Sequence, residues 1–160
     1  MKKLLMAVLL LLTLCVSLTA VSAEFNIGLS SGESSNFDGD PITFENGKLV
    51  IQGIEFAIPD GYKEVEKSKI VEGESKTYKG FNISSDTLAK GKDQIIVRVS
   101  YSNTTEAEYA PFNTTVEKTI NNYTGWFIED NFGAVFTYIK DRKLVQVVAP
   151  NEDTLYYVIK

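Results

Sequence analysis

The sequence predicts an α+β fold: a mainly antiparallel β-sheet with a short C-terminal helix packed on one face. Three observations carry this reading. Short apolar runs alternate with a period of two, turn-forming pairs separate them, and the last residues change to helical spacing.

The first strands lie around ITF and LVIQ, joined by Glu45-Asn46-Gly47-Lys48. Asn-Gly supplies the two positive-φ positions that a type I′ hairpin turn requires. Gly53 then bends the chain ahead of IEFAI, where Ile54, Phe56 and Ile58 alternate with Glu55 and Ala57, and Pro59-Asp60-Gly61 closes the run as a turn. Residues 62–76, YKEVEKSKIVEGESK, are charged and fit either a short helix or a surface loop. Residues 77–83 read as a further strand, followed by a polar loop. QIIVRVSY is the clearest strand, with Ile95, Val97, Val99 and Tyr101 on one face and Ile96, Arg98 and Ser100 on the other. TEAEYAPF suggests a helical turn that Pro111 ends. TGWFIED, AVFTYIK and KLVQVVA are three more strands, the last two joined by Asp141-Arg142. In the tail, Asn151 is a good N-cap, Glu152 and Asp153 suit the positive end of the helix dipole, and Leu155, Val158 and Ile159 form one stripe. Of Tyr156 and Tyr157, one is expected to pack and one to face solvent.

The chain opens with Met1-Lys2-Lys3, then an apolar run ending in small residues at Val21 and Ala23. Cations, apolar run and small residues in that order form a secretory signal, with cleavage after Ala23. An uncleaved anchor is the rival reading, because residues 4–20 approach bilayer-spanning length. Both readings place everything after residue 23 outside the membrane. Cys15 follows Leu14 inside the apolar run, which is the wrong context for a lipid-modified cysteine. Residues 1–23 are therefore read as signal peptide or N-terminal anchor, 24–41 as a flexible acidic tether rich in Ser and Gly, and 42–160 as a single α+β domain.

Composition excludes several functions. The whole chain carries −5; without Lys2 and Lys3 the balance is 14 basic against 21 acidic residues, or −7. Such a chain is repelled by nucleic acid and anionic headgroups, so nucleic acid is not an expected partner, and membrane contact is expected only through an uncleaved N-terminal segment. The region after residue 23 has no cysteine for a disulfide, and the chain has no histidine. Ser-His-Asp and Cys-His catalysis and the common zinc sites are thereby removed. Asp38-Gly39-Asp40 resembles a fragment of a calcium loop but lacks its remaining ligands. No cofactor, metal or catalytic residue is expected.

Four Asn-x-Ser/Thr patterns stand at Asn82, Asn103, Asn113 and Asn122. Chance placement of the asparagines and hydroxyl residues after position 23 gives about 1.5 matches. Export is the context that N-glycosylation requires, so the two signals support each other. The plainer reading is that these are turn and strand residues of an exported protein that receives no glycans.

TINNYTGWF, FTYIKDRKLVQVVAP and NEDTLYYVI, with IQGIEFAIPDGYKE upstream, resemble small exported proteins of methanogenic archaea, a family of uncharacterised function. Its pattern is an apolar strand ending in Ile-Pro-x-Gly-Tyr, a Gly-aromatic strand, a hairpin and a final helix. The match covers roughly residues 50–65 and 118–159. Asn122 and Arg142 stand where that pattern has glycines. The resemblance implies archaeal export and a fold, and no mechanism.

Remaining candidates have bland readings beside the sharp ones. Trp126, the only tryptophan, is a possible contact aromatic for a glycan or apolar peptide, although a tryptophan is more often core. Glu129-Asp130 is a carboxylate pair, but neighbours at a strand end are usually solvated. Ser84-Ser85 has no evident base. The expected function is a non-catalytic, exported binding module of the cell envelope whose partner is an envelope protein or glycan. The alternatives are a histidine-free, carboxylate-based hydrolase and a carrier of a small apolar ligand.

Overall fold

The computed structural model describes residues 39–75, 80–102, 107, 114–131 and 133–160. The signal-like segment, nearly all of the tether and, apart from Ala107, the expected helical turn at 105–112 lie outside these residues.

Three short strands, β1 (Ile42–Glu45), β2 (Lys48–Ile51) and β3 (Ile54–Ala57), form a small antiparallel meander. Both of its turns are two residues long with positive φ throughout: 52° and 72° at Asn46-Gly47, 51° and 79° at Gln52-Gly53. That backbone matches the right-handed twist of the flanking strands.

The larger sheet comprises β4 (Lys63–Glu64), β5 (Ile70–Glu74), β6 (Asn82–Lys90), β7 (Asp93–Tyr101), β8 (Val116–Ile120), β9 (Tyr123–Asp130), β10 (Gly133–Lys140) and β11 (Lys143–Ala149). Its order is β4-β6-β7-β11-β10-β9-β8, with β5 also pairing β6, and every pairing is antiparallel. The seam is β7 with β11, where Val97 faces Val147 and Val99 faces Val145.

Register fixes which residues share a face. Leu88, Ile95, Val97, Val99, Val145, Val147, Phe136 and Phe127 point to one side, and all are buried. The meander and helix α1 (Glu152–Val158) cover that side, contributing Leu49, Ile51, Phe56, Leu155, Val158 and Ile159 to one continuous core. Burial on this scale is the dominant stabilising term, worth about 1.5–3 kcal/mol for each large apolar side chain. At seven residues α1 is too short to persist alone. Asn151 Oδ1 accepts from Thr154 N at 2.9 Å at its start, and Asn121 Nδ2 donates to the carbonyls of Tyr156 and Ile159, both at 2.6 Å, at its end. Lys118 of β8 pairs with Glu152 at 2.5 Å, tying the helix to the edge of the sheet.

The structure departs from the sequence reading in four places. Within the expected helix or loop of 62–76, the described residues 62–75 hold neither a helix nor only loop, but the edge strands β4 and β5. Of the strand expected at 77–83, residues 77–79 lie outside the described residues; the described strand begins at Asn82 and runs through the expected polar loop to Lys90. Ser84, Ser85 and Asp86 are buried there, with Gln52 bonding Ser84 and the Thr87 amide bonding one oxygen of Asp86. Val116–Ile120 is an additional edge strand. Tyr156 and Tyr157 both face solvent, at 39% and 51% exposure, because the stripe of Leu155, Val158 and Ile159 takes the whole packed face.

Candidate functional site

Two regions of the molecule gather chemistry-bearing side chains: the outer face of the large sheet, and the edge formed by β4, β5 and β6.

On the outer face, the side away from α1, register aligns Thr87, Ile96, Val148, Val135 and Ile128 into a row across five strands. The four aliphatic members are half-buried although they occupy the middle of the sheet. The next row is polar and runs Ser85, Arg98, Gln146, Thr137, Trp126 and Glu117. Arg98 Nη1 donates to Gln146 Oε1 at 2.8 Å, and Gln146 Nε2 reaches Thr137 Oγ1 at 3.5 Å. Trp126 stands in that row on β9, half-buried, and is therefore not one of the core residues. Beyond it stand Leu144, buried against Phe81 and Ala107, and Ile139, 42% exposed.

At the β6 edge the core face turns polar. Gln52, buried in the positive-φ turn between β2 and β3, donates from Nε2 to Ser84 Oγ at 2.9 Å. The Ser84 hydroxyl donates in turn to the carbonyl of Val71. Buried Lys143 donates to the Gln52 carbonyl at 2.9 Å, and burial holds its amine below the usual lysine range. Burial raises the Tyr101 phenol, which also bonds Ser84. Each of these groups is held by a neighbour, so together they clamp the meander onto the sheet.

Asp86 lies two residues further along the same face, only 1% exposed. Its Oδ1 accepts from Thr87 N at 2.8 Å, whereas Oδ2 has no hydrogen-bond partner. Glu64 comes from β4, which pairs with β6 at Glu64–Leu88, and its carboxyl meets that of Asp86. On its other side Glu64 is paired with Lys69 at 2.7 Å. Burial first, and Glu64 second, push Asp86 up to about 6, while the bond to Lys69 holds Glu64 below the usual carboxylate range. No pattern within the sequence links Glu64 to Asp86; only the strand register brings them together.

The residues singled out from the sequence do not converge. Asn82 opens β6, paired between Glu74 and Tyr101 and half-buried, its amide 3.4 Å from Glu72 Oε1. Asn122 is exposed at the second position of the β8–β9 turn with φ 72°. Asn103 and Asn113 lie outside the described residues. Glu129 and Asp130 are both exposed, and as consecutive strand residues they point to opposite faces. Ser85 is buried on the outer face, and Ser84 is consumed by the clamp. Among the described residues, no group of three or more His, Cys, Asp or Glu side chains is arranged to hold a metal ion. No family model, curated protein or solved structure matches the chain.

Proposed function

We propose that this chain is an exported, non-catalytic module that binds a partner of the cell envelope through the outer face of its large sheet. The signal-like N-terminus supports export, and the absence of histidine from the whole chain supports a role other than the commonest hydrolase chemistries. The observation that carries the reading is the contrast between the two faces. One is sealed by the meander and α1, while the other presents the row Ile96, Val148, Val135 and Ile128 half-buried, with Trp126 next to its Ile128 end and Ile139 exposed across the polar row. A contiguous apolar row with a polar border and an aromatic at its end is the composition of a contact surface.

The alternative activities fit less well. A carboxylate-based hydrolase needs two acids open to substrate, and in the Glu64–Asp86 pair Asp86 is closed off from solvent. A carrier of an apolar ligand needs room between helix and sheet, where Leu155, Val158, Ile159 and Phe136 already pack together.

The test uses labelled protein and envelopes isolated from its own host. Wild type is expected to bind saturably, with Ile139→Glu and Trp126→Ala each weakening binding about tenfold, an interface aromatic or central aliphatic being worth ~1.4 kcal/mol or more. Tyr157→Glu, on exposed α1, serves as the control and should bind as wild type. The reading fails if the two outer-face variants bind like wild type while keeping its melting temperature, or if wild type shows no saturable binding.

A further inference from the structure

The segment between β4 and β5 is fastened to β6 by few groups. β4 contributes only two paired residues, and β5 changes register between Ile70 and Gly73. Between them, Val65 N donates to Thr87 O at 2.8 Å, Ser68 Oγ donates to Val65 O, and the same hydroxyl lies 3.5 Å from Asp86 Oδ1. The Ser68 hydroxyl also lies 3.4 Å from Thr87 O, and the carboxyl of Glu64 meets that of Asp86. Two ionised carboxylates have no hydrogen to share and repel, so a contact between them on a buried strand requires a proton on one.

From this geometry we propose that Glu64 and Asp86 hold a single proton between them, and that this proton fastens the β4–β5 segment to β6, so that its loss loosens the segment. The orphaned Oδ2 of Asp86 is where the proton sits. From there it donates to Glu64, which accepts from Lys69 on its other side, giving a chain from ammonium to carboxylate to carboxylic acid. Glu64 of β4 and Lys69 of the following turn are the charged groups that face Asp86, and Asp40, ahead of β1, acts on Lys69. Burial favours the neutral form of Asp86, and Lys69 keeps Glu64 charged, so the two environments assign the proton to Asp86. When solvent removes it, two negative charges face each other and one of them is buried.

Loosening is local. Ser84 still donates to Val71 O, a bond that does not depend on pH in this range, so β5 stays tethered while residues 64–69 lift.

Amide hydrogen exchange on the protein as purified from its host, corrected for intrinsic rates, reads this directly. Between about pH 5 and about pH 8 the protection of the Val65 amide is expected to fall about tenfold, and that of Ile95 to stay unchanged. Asp86→Asn donates to Glu64 without a titrating proton, and its Val65 protection should vary less than about threefold over the same range. A carbon-13 titration of the wild-type carboxyls needs no variant, and should place the Asp86 midpoint well above that of Glu64. Flat Val65 protection in wild type, an equal fall in Asp86→Asn, or an Asp86 that titrates like an exposed aspartate would each overturn the proposal.

Discussion

At the scale of single residues, two small side chains do more than their size suggests. Gly125 lies opposite Tyr138 on the core face, and a Cβ there would stand 2.3 Å from the carbonyl of Thr137 and 2.9 Å from the Tyr138 Cβ. The tip of the Phe136 ring takes the remaining room, its Cζ lying 3.0 Å from where that Cβ would stand. Gly125→Ala should therefore cost about 3 kcal/mol or more, seen as a lower urea midpoint, because backbone and not a flexible side chain must yield. Asn121 opens the β8–β9 turn at φ 45° and closes the end of α1 with two donated hydrogen bonds. Asn121→Gly keeps the turn conformation and removes only those bonds, so its expected loss of about 1–2 kcal/mol isolates them. A loss within a few tenths of a kcal/mol would mean that α1 is held by its apolar stripe alone.

At the scale of elements, the helix depends on the core beneath it. Leu155 is completely buried, so Leu155→Ala should cost about 2–5 kcal/mol in chemical denaturation, more than any change at the exposed Tyr156 or Tyr157 beside it. This helix was legible in the sequence, cap and stripe included, and so were β3, β7 and the hairpins β1–β2 and β10–β11, because each combines alternation with a turn signal. The turns at Asn121-Asn122 and Asp141-Arg142 keep positive φ at both positions without glycine, a conformation that Asn and Asp tolerate and that the flanking strands impose on Arg142. What escaped were the edges and β6. VEKTI and IVEGE carry the charges that keep edge strands from pairing with other chains, and those same charges hide their strand character. Ser84 and Asp86 read as loop because their partners, Gln52 and Val71 for the serine and Glu64 for the aspartate, come from distant parts of the chain. The outer-face row was hidden for the same reason. Trp126 could be singled out, but Ile96, Val148 and Ile128 become neighbours only through register.

At the scale of the whole molecule, Asp86 gives stability a pH dependence of definite sign. Its folded value of about 6 lies above the unfolded value of 3.8, so the folded state binds more protons in between. Stability from this group is complete below about 3.8 and is lost as pH rises toward 6, by up to about 3 kcal/mol. Glu64 acts oppositely, since its lowered value adds stability that is lost as pH falls through it. Melting curves of wild type minus Asp86→Asn should separate the two: the variant gains on wild type from about pH 4 to about pH 6 and holds that gain above it. A constant difference across that range would remove Asp86 as the source.

The seam between β7 and β11 also has a consequence for how the chain reaches this state. β6 with β7, and β8 through β11, are runs of adjacent hairpins that close locally, whereas Val97 must find Val147, fifty residues on. Two rapidly formed halves meeting at one long-range junction make that encounter the slow event, and its cost grows with the logarithm of the intervening chain. Doubling the connection between Tyr101 and Val116 with Gly-Ser residues should slow refolding by up to about threefold in stopped-flow traces, with unfolding unchanged. The junction lies at the centre of the sheet, so a chain still growing from its C-terminus presents β6–β7 with a bare edge until β11 arrives. That interval, rather than the finished molecule, is when this chain is most exposed to pairing with the wrong strand.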